Sequence, residues 1–127
     1  MSALQQLLKP RTVAVVGASA DPTKMTGRPV LYLQRHGFDG DIYPVNPRAS
    51  QIGGLKCYPD IASLPVAPDV ALVLLGPDAA IQAVAELARR GAGAAIVLAG
   101  GFAEAGADGI ERNKALQEAA GEMRLLG

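Results

Sequence analysis

The chain has 127 residues, with twelve basic and twelve acidic side chains that cancel. The missing net charge excludes the broad electrostatic footprint of a nucleic-acid binder and leaves any anionic ligand to local groups. The length suits a single domain, and only 4% of the residues are aromatic while half are hydrophobic, so the core is expected to be built from Ala, Val, Leu and Ile in strands buried on both faces.

Leu4, Leu7 and Leu8 fall at helical spacing after Ser2, a possible N-cap, and Lys9-Pro10 closes that short helix. Nothing in Met1 to Pro10 has the build of a signal peptide or a membrane span. Thr12 to Val16 reads as a strand with apolar residues on both faces, ended by Gly17-Ala18-Ser19. A polar loop to Thr26 follows, and Gly27-Arg28-Pro29 opens a helix that runs to His36 and stops at Gly37. Asp41 to Val45 is a second strand, in which Pro44 demands an edge-like or terminal position. Asn46-Pro47-Arg48 turns the chain out of the sheet. The irregular stretch from Ala49 to Pro68 holds a short strand at Lys56 to Tyr58 and a helical turn near Ile61 to Leu64.

Asp69 to Leu75 is a third strand, ended by Gly76-Pro77. Asp78 is expected to cap the next helix, whose apolar stripe is Ile81, Val84, Ala85 and Ala88 and whose Glu86 and Arg90 make an i, i+4 pair. Gly91 ends it. Ala94 to Leu98 is a fourth strand, running into Ala99-Gly100-Gly101. The last helix spans Asp108 to Ala120, with Leu116, Ala119, Ala120 and Met123 on its inner face. Arg124-Leu125-Leu126 begins a fifth strand, and a stop at the entrance of a strand predicts a piece of a longer protein.

Strands alternating with amphipathic helices predict an α/β fold, a three-layer doubly wound parallel sheet in one domain over residues 1–127. The commonest strand order for such a sheet is 3-2-1-4-5. Ligands of open parallel sheets bind where the strands end and their order reverses. The segments there are Gly17-Ala18-Ser19, Asn46-Pro47-Arg48, Leu75-Gly76-Pro77 and Ala99-Gly100-Gly101, all small, polar or turn-forming. Gly17 either makes a tight turn or lets a phosphate come close, and the glycine alone does not decide. Backbone N–H groups from Ala18 to Gly27 would face an anion, with Lys24, Arg28 or Arg48 adding charge-assisted hydrogen bonds.

The dinucleotide fingerprint is not met, because Ser19 and Pro22 stand where its later glycines belong. Arg48 stands where an NAD site wants an acid, which narrows the ligand to NADP or coenzyme A unless Arg48 is simply a solvated charge. His36 suits helix capping, and Cys57, the single cysteine, reads as a partly buried thiol that fits a reducing, cytoplasmic setting. Glu104 and Asp108 read as caps of the last helix. No metal-ligand spacing, nucleophile elbow or Walker loop is present.

Thr12 to Ser19, Ile42 to Pro47, Ala99 to Glu104 and Arg124 to Gly127, taken in order, resemble the N-terminal CoA-binding domain of ADP-forming acyl-CoA synthetases. They also resemble the corresponding part of the succinyl-CoA synthetase alpha subunit, a Rossmann-like domain. The resemblance implies CoA or acyl-CoA as ligand, lying across the strand ends. The loop from Ala18 through Lys24 and Thr26 to Gly27 would meet the phosphates, and Asn46, Pro47 and Arg48 the ADP part. Leu75, Gly76 and Pro77 with Ala99, Gly100 and Gly101 would line the path of adenine and pantetheine. It implies downstream ligase domains or a partner subunit, and neither nucleic acid nor membrane. The family's phosphorylated histidine lies in a later domain and His36 does not match it, so no catalytic residue is expected in this chain. The same domain occurs fused to protein lysine acetyltransferases, so a regulatory CoA- or nucleotide-binding module is the alternative, and an NADP-binding oxidoreductase fragment a more distant one.

Overall fold

The computed structural model describes residues 9–21, 23–98 and 107–126. The expected helix at Leu4 to Leu8 and the Ala99-Gly100-Gly101 segment lie outside them. The elements are β1 (Thr12–Val16), α1 (Arg28–Arg35), β2 (Asp41–Val45), β3 (Gln51–Ile52), β4 (Leu55–Lys56), β5 (Val70–Val73), α2 (Pro77–Arg90), β6 (Ala94–Val97), α3 (Ala107–Ala120) and β7 (Arg124–Leu126). Single 3₁₀ turns precede α1 at Met25–Gly27 and follow β4 at Ile61–Ser63.

Five strands form one parallel sheet in the order β2-β1-β5-β6-β7. In terms of the five main strands this is 2-1-3-4-5, not 3-2-1-4-5. Pro44 supplies the reason. It has no N–H to give to a second neighbour, so β2 sits at the edge, paired only with β1 within this sheet, where Pro44 stands opposite Val15. The outer side of β2 is partly covered by the returning chain: Val45 bridges Tyr58 in parallel, and Tyr58 N–H donates to Pro44 O at 2.9 Å. The strand expected at Lys56 to Tyr58 proves to be this bridge together with a two-residue hairpin, β3 on β4, turning through Gly53 and Gly54.

The alternation of side chains across the pleat divides the core in two. One face carries Ala14, Ala71 and Ala95 in a single row across three strands, each fully buried beneath α2 and α3 with Val16, Val73 and Val97 beside them. Small residues in the sheet let α2 approach closely, so its buried stripe is Ala80, Ala83, Val84 and Leu87, rotated from the expected Ile81-Val84-Ala85-Ala88 line. The other face buries Val13 and Val15 against Val30 of α1 and against Ile52 and Cys57 of the 46–58 excursion.

The helix ends follow local chemistry. In α2, Gly76 is the N-cap and Pro77 takes the first helical position, so Asp78 adds its charge to the first turn where it was expected to cap. Arg89 and Arg90 complement the other end of the dipole, and Gly91 closes the helix at φ 85°. Gly37, at φ 69°, does the same after α1. The Arg90 guanidinium donates to Leu64 O at 2.6 Å, so it fastens the 61–64 turn to α2.

Candidate functional site

The sheet order reverses between β1 and β5, and the loops that leave those strands go to opposite faces. The connection after β1 leads to α1 on one side, that after β5 to α2 on the other. The parting opens a cleft of about 220 Å³ lined by the apolar or small residues Val16, Gly17, Val45, Pro47, Pro59, Ile61, Leu75, Ala79 and Ala83 and by the polar Asp60, Gln82 and Glu86. That is smaller than the roughly 300–1,000 Å³ of a complete small-molecule site. Larger grooves lie elsewhere, such as one of about 580 Å³ lined by Arg89, Gly91, Gly93, Gly121 and Glu122. That groove lies where β6 and β7 begin, the wrong end of a parallel sheet for ligands.

Gly17 is required by the chain itself. Its φ is +88°, and a Cβ there would stand 2.6 Å from Leu74 O and 2.9 Å from Leu75 Cδ2. The turn therefore demands glycine before any ligand is considered, and the same tightness brings the ends of β1 and β5 together. Gly17 N–H donates to Val45 O at 3.0 Å and Leu74 N–H to Val16 O at 2.8 Å.

The loop from Ala18 to Gly27 is closed by its own hydrogen bonds. Ser19 N–H donates to Thr26 O, Gly27 N–H to Lys24 O and Lys24 N–H to Asp21 O. Asp21 N–H donates to Ser19 Oγ, and both Thr23 N–H and its hydroxyl donate to Asp21 Oδ1. These Thr23 bonds, the side-chain one foremost, hold the exposed Asp21 carboxyl below its ordinary range. The N–H groups of this loop were expected to face an anion, and several of them are instead committed within it. Ser19, Asp21, Thr23, Lys24 and Gly27 use theirs internally, whereas those of Met25 and Thr26 open a helical turn and have no partner within it. Gly27 is buried, and a Cβ there would collide with Asp21 O, so this glycine lets the loop close on itself.

On the β2 side, Asn46 Oδ1 accepts from Arg48 N–H at 2.8 Å, an Asx turn that leaves Pro47 and Arg48 exposed at the mouth. Lys24 and Arg48 are both exposed cations on loops that leave neighbouring strands. Behind them Cys57 is buried, and that burial pushes its thiol above the ordinary range. His36 lies at the far end of α1 with its ring 4.1 Å from that of Tyr32, away from the cleft-lining residues.

Of the residues named from sequence, Gly17, Pro47 and Leu75 line the cleft directly. Ala18 is fully buried in the α1-side core, and Gly76 and Pro77 form the start of α2. Sequence reasoning missed the α2 stripe Ala79, Gln82, Ala83 and Glu86. Its i, i+3, i+4, i+7 spacing was a usable signal, because a helix that begins at a strand end turns its first two turns toward the site. Among the described residues no cluster of His, Cys, Asp and Glu is placed to hold a metal ion, and no helix is long and apolar enough to cross a membrane.

Residues 11–125 match the family model described as CoA binding domain. The chain belongs to that family. This CoA-binding domain is 38% identical over 97% of its length to a trans-feruloyl-CoA synthase from an unknown prokaryotic organism, of which it covers 17%. It is also 38% identical over 98% of its length to the acetate–CoA ligase [ADP-forming] II of Archaeoglobus fulgidus, of which it covers 19%. Against the dinucleotide-forming acetyl-coenzyme A synthetase 1 of Candidatus Korarchaeum cryptofilum it gives a TM-score of 0.91 at 36% identity, covering 98% of this chain and 27% of that one. The domain therefore spans less than a third of these proteins.

Proposed function

We propose that the domain seats CoA across the carboxyl ends of β1, β2 and β5 on behalf of an ADP-forming acyl-CoA synthetase. It holds the nucleotide so that the thiol reaches downstream ligase domains or a partner subunit, in the cytoplasm. The observation that carries the reading is the cleft at the strand-order reversal, lined by Gly17 and Pro47, from which the chain segments bearing Lys24 and Arg48 depart. Its apolar walls suit a flat base lying against Leu75 and Ala79. Its size leaves the phosphates and pantetheine outside, along Ser19, Lys24, Thr26 and Gly27 and toward Gly76 and Pro77, with Ala99, Gly100 and Gly101 expected further along that path.

The domain's own chemistry is positioning. Asn46, Pro47 and Arg48 form a rigid turn whose arginine carries a permanent charge, suited to the 3′-phosphate that distinguishes CoA from dephospho-CoA. Holding an elongated thiol in one orientation converts part of its encounter with an acyl donor into an intramolecular step.

Calorimetry with CoA, dephospho-CoA and NADPH tests this. CoA is expected to bind best, and Arg48→Ala to weaken CoA by roughly tenfold to a hundredfold, the worth of a charge-assisted hydrogen bond, with little effect on dephospho-CoA. Tight NADPH binding without CoA binding overturns the reading. Equal losses for both CoA forms remove Arg48 from the 3′-phosphate.

A further inference from the structure

Asn46 holds together three segments that are distant in sequence. Its Nδ2 donates to Ala18 O at 2.8 Å. Its Oδ1 accepts from Arg48 N–H at 2.8 Å. Its backbone N–H donates to Tyr58 O at 2.9 Å, and the buried Cys57 thiol lies 3.6 Å from its carbonyl oxygen. The side chain is only partly exposed, and each end of its amide already has a protein partner.

The Ala18 bond has a particular consequence. Ala18 C=O and Ser19 N–H belong to one planar peptide unit. The oxygen is held by Asn46 and the N–H by Thr26 O at 3.0 Å, so the plane is gripped from both sides. This peptide follows directly on the turn at Gly17, at φ +88°. The same asparagine sets the direction of the Arg48 backbone. One amide side chain thus fixes both the peptide that opens the loop after β1 and the turn that carries the cation after β2.

We infer that Asn46 is a positioning residue that locks these two loops in register with one another, and that its side chain acts on a bound nucleotide through them. The inference rests on the reading that CoA lies at these strand ends.

The test has one part without ligand and one with it. In the free protein, Asn46→Ala is expected to speed amide hydrogen exchange at both Ser19 and Arg48 at least several-fold while leaving Val15, in the middle of the sheet, unchanged. Asn46→Ser, whose shorter hydroxyl can still accept from Arg48 N–H but not reach Ala18 O, is expected to restore protection at Arg48 alone. With ligand, Asn46→Ala is expected to weaken dephospho-CoA about tenfold, the scale of one lost hydrogen bond, and CoA by more, since the turn that carries Arg48 is released as well, in contrast to Arg48→Ala, which is expected to spare dephospho-CoA. Unchanged exchange at Ser19 and Arg48 overturns the inference. So does a loss confined to CoA, which makes Asn46 a direct phosphate contact, or affinity that does not change in a variant that remains folded. Failure of the wild-type domain to bind CoA removes the reading beneath, and the exchange result still decides whether the lock exists.

Discussion

At Gly17 two costs coincide. The backbone angle belongs to the left-handed region, which costs a residue with a side chain about 1–2 kcal/mol, and a methyl group would press on the backbone oxygen of Leu74, whose N–H is tied to Val16 O. Gly91 shares the angle but has open space where a Cβ would go. Gly17→Ala is therefore expected to destabilise the domain by clearly more than Gly91→Ala, about 3 kcal/mol against about 1, as read from urea denaturation midpoints. Equal losses would mean that the close approach of β1 to β5 is relieved cheaply. The same pair shows what sequence could tell at this scale. Both glycines are recognisable as turns, but the contact with Leu74 is made by a residue far along the chain, and so the tie between tight turn and ligand role could not be broken from the residues alone.

Among the elements, α2 joins core and site. Its inner stripe buries Leu87 completely beneath the alanine row of the sheet, while Ala79, Gln82 and Glu86 border the cleft. Leu87→Ala is expected to cost about 2–5 kcal/mol, because a rigid helix over a rigid sheet collapses poorly into the space left; chemical denaturation measures it. The strand order was more legible than the commonest pattern suggested. In the order 3-2-1-4-5 the second strand is flanked on both sides, and Pro44 would leave one ladder without a donor. That proline had narrowed its own place to a sheet edge or a strand end, and the edge is the one the sheet uses. The register of α2 was less accessible. Ile81 looks more core-like than Ala80 or Ala83 until the facing strands are known to present alanines, which is information from other parts of the chain. The helix ends at Gly37 and Gly91 were readable because each rests on the backbone preference of a single residue, whereas the start of α2 was expected two residues late, with Asp78 and not Gly76 as the cap.

For the molecule as a whole, the two apolar layers are unequal in what they contain. The layer on the α1 side includes Cys57, whose burial favours the neutral thiol. A group with its folded value raised contributes stability that is complete below the unfolded thiol's range and is lost as pH rises through the folded value. Thermal melts are thus expected to fall between neutral and alkaline pH, and the fall to be smaller in Cys57→Ala, which has no thiol to ionise. An identical alkaline profile in both proteins would assign the loss to other groups. The site as a whole was legible as a set of strand ends and illegible as a shape. Segments after β1, β2 and β5 were foreseeable as neighbours, whereas the contribution of Pro59 to Ile61 depended on Asp60 starting a 3₁₀ turn and on Arg90 anchoring it from α2.

The bridge between Val45 and Tyr58 has a consequence for how the protein behaves in a crowd. An open outermost strand invites foreign chains to add themselves to the sheet. Here the proline withholds a donor, and a stretch with almost no regular structure of its own lies along the upper part of the border like a hem. The wandering segment between Asn46 and Pro59 is therefore a guard against unwanted self-association as well as a wall of the cleft, and shortening it would be felt first as lost solubility.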